Sequence, residues 1–438
     1  MNSSLTVKYF YIFGLLASVY ILMIGGTSFV VYLTLAAIAV MLIGGAFANK
    51  LKISKRKFDS LYFAFFISSL FTLLSSRIYT SYPEWKWQGF VFFIYYSILF
   101  AFYFLGKSEK ADIVSPFICG LKVCVLIQVA YGYLQFLLYT VFSVDINNFL
   151  FNQTFHIVKE ASHYNYGVLV PTGFSWHPGT LAPLLVIGYC LYKDKFYIKA
   201  LIVGLAFLTQ SSTCVIGVIA VVGLELVFRI IDRRKDNKKS QKRTIIGIGI
   251  AIVALVVALT ATNIWELISF EISRLWFRFQ NRYIASGSDL STFYHMRYYT
   301  GLGEIASRSS FLQILFGVGG GCSGYPFVKV FSQYVSYMPW DVEAQIVADL
   351  IDYGIVGFSI LYIWIFRLIK RGYKLDRRYA ICLIAILAES VTYNVRFMWV
   401  LIFMMIMNIS ISAKINVWDI ESFSHKQTRK QIIRRKRT

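Results

Sequence analysis

The chain has 438 residues, 57% of them hydrophobic and 15% charged, with a mean hydropathy of +0.61. No soluble domain buries that much apolar surface, so the composition excludes an ordinary globular enzyme and calls for bilayer-spanning segments. The formal charge of +22 would suit a nucleic-acid binder, but in a chain of apolar runs it belongs to cytoplasmic loops and a basic tail, and no nucleic acid is expected as a partner.

Apolar runs of about 20 residues, the length of a span, begin near Tyr9, Ser28, Ser60, Trp87, Asp112, Gly179, Phe196, Thr213, Thr244, Val347, Tyr379 and Phe397. They predict an all-α polytopic integral membrane protein with about twelve transmembrane helices, forming a single membrane domain over residues 1–438. No small-residue cleavage site follows the first run, so that run is expected to stay as a span. Aromatic residues make up 18% of the chain, which fits interfacial belts of Tyr and Trp. The connections rich in cations alternate along the chain. They hold Lys50 to Lys57, then Lys107 and Lys110, then Lys193, Lys195 and Lys199. Next come Arg233 to Arg243, then Arg367 to Arg378, then the tail 413–438 with Lys426, Arg429, Lys430 and Arg434 to Arg437. All fall on one side if both termini are cytoplasmic. The tail is expected to lie on anionic lipid headgroups. The six cysteines show no metal spacing and no disulfide framework. The chain has no internal repeat, which weighs against a transporter built from two related halves.

Two substantial loops remain for the outer side, 142–178 and 261–345. The second is expected to be large and partly helical, ahead of the last three spans. It carries Arg274, Arg278, Arg282, Arg297 and Arg308 where the topology rule predicts few cations. Cations that topology does not explain call for an anion. Arg274, Arg278 and Arg282 fall at i, i+4 and i+8, one face of a helix. That face suits lipid phosphates at the interface. It equally suits the diphosphate of a lipid-linked substrate, which guanidinium groups grip with two hydrogen bonds. Arg297 either pairs with Asp289 or Glu304 or binds the ligand. His295 is either solvated or a substrate contact. Gly317 to Gly321 has only a superficial likeness to a phosphate-cradling loop, because no Lys-Ser/Thr follows, and is expected to be a flexible turn. Pro339 and Asp341 predict a helix start with Asp341 as N-cap. Glu343 then falls in the first turn, where the helix dipole favours its ionised form. It is a candidate general base, or a carboxylate serving helix electrostatics alone. Asp349 and Asp352 lie on one side of that helix, inside a span, and are expected to face a cavity or a partner.

These features resemble the O-antigen and capsule polymerase and ligase superfamily, the Wzy-type polymerases and their ligase relatives. The likeness covers the architecture of the whole chain and a few short motifs in order. Pro171-Thr172-Gly173-Phe174-Ser175-Trp176-His177-Pro178 looks like the family's Gly-x-Phe-x-x-Pro segment, with Val170 where many members have Arg. Leu208-Thr209-Gln210-Ser211-Ser212 is similar to its Thr-x-Ser-Arg turn without the Arg, and Asp352-Tyr353-Gly354-Ile355-Val356-Gly357 to its acidic-x-Gly-x-x-Gly helix. Where the ligase branch has a His-Asn pair, this chain has Glu343-Ala344, which favours a polymerase. The resemblance implies a glycosyltransferase of the bacterial inner membrane. It would polymerise oligosaccharide repeats, by metal-independent transfer from a polyprenyl diphosphate carrier to a sugar hydroxyl, and needs no cofactor. On that reading Glu343 takes the hydroxyl proton. Arg297, with Arg274, Arg278 and Arg282, neutralises the departing diphosphate, and His177 and His295 contact substrate, although His177 equally suits a cap or packing role. The implied partners are the lipid-linked oligosaccharide, membrane lipids and a chain-length regulator. A lipid-linked oligosaccharide flippase and an O-antigen ligase are the alternatives.

Overall fold

In the computed structural model the described residues are 2–19, 21–24, 27–47, 60–79, 83–106, 110–157, 162–165, 168–175, 177–236, 298–330, 342–394 and 397–420. Helices form almost everywhere that the sequence runs apolar. The first group is α1 (Asn2–Leu16), α2 (Phe29–Phe47), α3 (Ser60–Tyr79), α4 (Pro83–Gly106) and α5 (Lys110–Phe142). Then come α6 (Ala182–Leu191), α7 (Phe196–Leu208) and α8 (Ser212–Asp236). After the undescribed stretch, three short helices, α9 (Leu302–Arg308), α10 (Phe311–Phe316) and α11 (Gly324–Val330), precede α12 (Gln345–Leu375), α13 (Arg377–Glu389) and α14 (Met398–Ala413). Two antiparallel hairpins complete the set, β1 (Met23–Ile24) with β2 (Thr27–Ser28) and β3 (His163–Asn165) with β4 (Val168–Val170), the latter pairing His163 with Val170. Every expected apolar run becomes a helix except the one near Thr244, which lies outside the described residues.

Among the described residues, four stretches are long and apolar enough to cross a membrane: Gly89–Gly106, Asp112–Phe142, Ser212–Ile230 and Gln345–Leu375. Five further apolar helices are shorter. Apolar side chains fill the interior, where Phe10, Phe13, Phe102 and Phe117 meet between α1, α4 and α5 and where Tyr379 of α13 and Trp399 and Phe403 of α14 are buried. Apolar side chains also cover the outside. On α5 the exposed residues Leu126, Leu134, Leu137 and Val141 form one helical stripe with no polar counterpart. A stripe of that kind faces lipid rather than water. The architecture is that of a membrane-embedded all-α protein.

Helix length shapes the molecule further. One end collects basic connections. There Lys199 pairs with Glu225 at 3.0 Å, Tyr192 donates to the Lys122 carbonyl at 2.7 Å, and Arg378 pairs with Asp376 and Asp419. From this basic end α6, α7, α13 and α14 rise for only 10, 13, 13 and 16 residues. At 1.5 Å per residue they reach about 15–24 Å, against a hydrocarbon core of about 30 Å. Their far ends meet at one level. Cys214 Sγ contacts the Pro178 carbonyl at 3.3 Å, and the Thr213 and Thr392 hydroxyls lie 3.2 Å apart. Meanwhile α5 continues about 10 Å past Gln135 to Phe142, and Gln128 and Gln135 hold the backbone of Thr172 to Phe174 against its flank. That step, about 10 Å deep among the described residues at the end opposite the basic one, is the basin.

Helix α12 is not one straight rod. Gly354 adopts φ 60 and ψ −176, which separates a short arm, Gln345 to Tyr353, from a long arm of about 30 Å. Tyr362 donates to Asp349 Oδ2 at 3.1 Å across this break. Residues thirteen apart on a straight helix are about 20 Å apart along its axis, further than the two side chains span. The short arm therefore folds back beside the long arm and dips into the basin. Its second residue, Ile346, donates its amide to the Ser390 carbonyl at the far end of α13. The helix begins later than Pro339 and Asp341 suggest. Ala344 is its N-cap, without a side-chain cap, and Glu343 precedes the first turn instead of lying in it. Asp341 lies outside the described residues.

Candidate functional site

The break in α12 would leave carbonyls unsatisfied, and buried carbonyls need partners. The glycine-rich segment after α10 supplies them. Val318 N donates to the Ile351 carbonyl at 3.0 Å and Gly319 N to that of Asp352 at 3.1 Å. The Asp352 carboxylate, fully buried, accepts from Gly321 N at 2.8 Å and Cys322 N at 3.0 Å. Backbones approach so closely that a Cβ on Gly354 would lie 2.4 Å from Gly317 N, and one on Gly317 would lie 2.1 Å from the Asp352 carbonyl oxygen. The segment is thus a fixed clasp and not the flexible turn that its composition suggests. Four of its amides are committed to α12, so it does not cradle phosphate. The two acids that share a helix side part ways here. Asp352 binds the clasp, and Asp349 accepts from Gln345 Nε2 at 3.0 Å and from Tyr362.

The clasp aims the short arm at the basin floor. Val342 and Ala344, on either side of half-buried Glu343, pack in one apolar cluster with Tyr298, Val318, Cys322 and Phe327. Tyr299 donates its hydroxyl to the Val391 carbonyl just beyond α13. Next to this, the Tyr393 ring stacks on His177 with centroids 4.9 Å apart and planes 3° apart, and His163 meets His177 edge-on at 4.6 Å. Burial lowers the His163 pKa below the ordinary imidazole value. His177 Nδ1 accepts from Gly179 N at 3.1 Å, capping the short turn Pro178–Thr180, so the neutral ring carries its proton on Nε2. Below this platform Glu389 is fully buried at the end of α13, and neither of its carboxylate oxygens has a hydrogen-bond partner. Gly217 of α8 faces it closely: a Cβ there would lie 1.9 Å from Glu389 Oε1 and would push the carboxylate aside. In the angle of α12 an apolar cleft with about 60 Å³ of free space runs from Gln345, Asp349 and Ser390 along Leu361, Trp364 and Met404.

Glu343 therefore stands beside the folded arm at the basin, and His177 stands in the basin as a helix cap stacked on Tyr393. Arg274, Arg278, Arg282, His295 and Arg297 lie outside the described residues, as does Asp289. Arg308 is an exposed residue of α9 that pairs with Glu304 at 2.7 Å, so Glu304 already serves one arginine of this loop. Among the described residues no three His, Cys, Asp or Glu side chains come together as a metal site requires. Sequence reasoning passed over His163, Tyr393 and Glu389. The first two carry no local signal, but an acid in the apolar run Ala385 to Val391 was a visible one.

Among known proteins, no family model matches this chain and no curated sequence is significantly similar to it.

Proposed function

We propose that this protein polymerises lipid-linked oligosaccharide repeat units into a surface polysaccharide, by glycosyl transfer from a polyprenyl diphosphate carrier to a sugar hydroxyl. The observation that carries this reading is the folded-back arm of α12, which brings Glu343 to a basin edged by His163, His177 and Tyr393. A basin below the membrane surface suits a substrate whose lipid stays in the bilayer while its sugar stays in water. Paired aromatic and imidazole rings offer a sugar both stacking faces and hydrogen bonds. The apolar cleft beside Gln345 supports a place for the first isoprene units. In this reading both termini are cytoplasmic, the basin opens outward and the chain makes about twelve spans. Glu343 accepts the proton of the attacking hydroxyl, and Arg297 with Arg274, Arg278 and Arg282 takes the charge that develops on the diphosphate.

The test is the chain-length distribution of surface polysaccharide from Glu343→Gln and Arg297→Ala strains. Loss of the long chains at unchanged protein abundance is expected, and normal ladders from both refute the mechanism. A second reading, transport of the lipid-linked oligosaccharide, draws support from the interrupted helix, a common device at transporter binding sites. Reconstitution with purified lipid-linked repeat units separates the two: a transferase lengthens glycan, and a transporter moves it unchanged.

A further inference from the structure

At the basic end a second cavity, with about 210 Å³ of free space, opens between the α6–α7–α8 group and the start of α13. Its walls carry Lys193, Lys199, Arg229, Arg377 and Arg378 against Asp194, Glu225 and Asp376. Five cations line the cavity against three carboxylates, so its own walls carry more positive than negative charge. Two of the carboxylates are also committed. Glu225 holds Lys199 at 3.0 Å and Arg229 at 2.6 Å, and Asp376 holds Arg378 at 2.5 Å. Asp419 draws on Arg378 from outside the cavity at 2.8 Å, whereas Lys193 and Arg229 stand at the rim with their cationic groups exposed.

The surroundings fix the depth. Phe196 and Tyr197, at the start of α7, are 82% and 61% exposed, and Tyr373 is half-exposed where it meets Phe228. Large aromatic rings that stay exposed beside lysines and arginines belong at the headgroup layer of a bilayer. The wall is continuous with the basic tail, because Asp419 and Asn416, in the first part of that tail, bind Arg378 and Asp376. Residues 421–438 hold Lys426, Arg429, Lys430 and Arg434 to Arg437, which are drawn to the same anionic surface. We propose that this cavity binds the phosphate headgroup of an anionic phospholipid, held by Lys193, Arg229 and Arg377, and that it fixes the α6–α8 group to α13 at the basic face of the membrane. The site is independent of the chemistry in the basin and exists whether the protein transfers or transports glycan.

The experiment is native mass spectrometry of the full chain in detergent, titrated with phosphatidylglycerol or phosphatidylcholine. The expected result is a phosphatidylglycerol adduct that phosphatidylcholine does not form. In the double variant Lys193→Gln/Arg229→Gln its Kd rises about twenty-five-fold, at roughly fivefold per cation removed. Arg308→Gln at the other end serves as the charge control and leaves the Kd unchanged. An unaltered melting temperature keeps the double variant interpretable, and Lys193→Gln alone, a change at an exposed rim residue, gives the fivefold step if the double variant does not fold. Equal binding of phosphatidylcholine, or an unchanged Kd in the variants, overturns the proposal. Full displacement of the lipid by an equal concentration of inorganic phosphate overturns the lipid as occupant.

Discussion

The folded arm of α12 depends on Gly354, and Gly354→Ala is the sharpest test of that geometry. At φ 60 and ψ −176 the residue occupies a backbone region that is essentially closed to residues with a Cβ, at a strain of about 1–3 kcal/mol. The new Cβ would also meet backbone only, 2.4 Å from Gly317 N and 2.5 Å from the Leu315 carbonyl. Backbone cannot rotate away as a side chain tip can, so the clasp must shift. Its two amide–carbonyl bonds contribute about 1 kcal/mol each and its two amide–carboxylate bonds about 1.5–3 kcal/mol each. Losing half of that set in addition to the strain gives a cost of roughly 4–7 kcal/mol. The assay is thermal unfolding in detergent together with polysaccharide chain length in cells. Gly354→Ala should lower the melting temperature by several degrees and abolish long chains. Gly303→Ala in α9 is the control, because nothing lies within 4 Å of its added Cβ and alanine is the better helix former. An unchanged melting temperature and normal chains in Gly354→Ala would refute the fold-back.

Three further outcomes follow from the same contacts. Tyr362→Phe and Asp349→Asn each loosen the pairing of the arms by about 1 kcal/mol, and a double-mutant cycle on melting should show coupling of that size; strict additivity would mean that the arms do not touch. Glu389→Met replaces a buried, partnerless carboxyl by an apolar chain of similar size and should stabilise the protein by about 1–3 kcal/mol in the same melt; a fall would reveal an interaction that the carboxyl makes in the native protein. At Asp376 burial pushes the carboxyl up, but hydrogen bonds from the Arg378 side chain and amide and from Asn416 outweigh it, so the folded value lies below the ordinary 3.8. A depressed carboxyl contributes stability above its unfolded value and loses it as pH falls through the folded one. The segment 414–420 should therefore stay docked from neutral pH down to about 3.8 and be released below, read as cleavage by pepsin; release already at pH 5 would contradict this.

Apolar runs have one physical use at that length, and the runs near Ser60, Phe196 or Phe397 each emerge as a helix close to their expected start, whereas the run near Tyr9 belongs to a helix that begins at Asn2. Two of the cationic connections, that of Lys193 and Lys199 and that of Arg377 and Arg378, do meet at one cavity. The bend in α12 was not legible in the sequence. Acidic-x-Gly-x-x-Gly reads as a helix with small residues, and only the long-range bonds from Val318 to Cys322 show that Gly354 is a corner. For the same reason the glycine segment looked like a loose turn: its order comes from a partner over thirty residues away. His163 and Tyr393 become neighbours of His177 through packing of a hairpin, a capped turn and the end of α13, and no periodicity encodes that meeting.

The short helices tie these observations together. A helix of 13 residues cannot reach across about 30 Å of hydrocarbon, so several of them ending together force polar backbone to membrane depth. Such ends are tolerated only where protein covers them or where they line water. Here the covering is the arm of α12, whose Ile346 amide meets the Ser390 carbonyl, and the Phe174 backbone held by Gln128. The arm therefore closes the ends of its neighbours and also carries Glu343 to the basin. Any change that straightens α12 uncovers the Ser390 carbonyl and moves Glu343 away from the end of α13 in a single step. Stability and activity should then fall together in Gly354→Ala, whereas Glu343→Gln should remove activity alone.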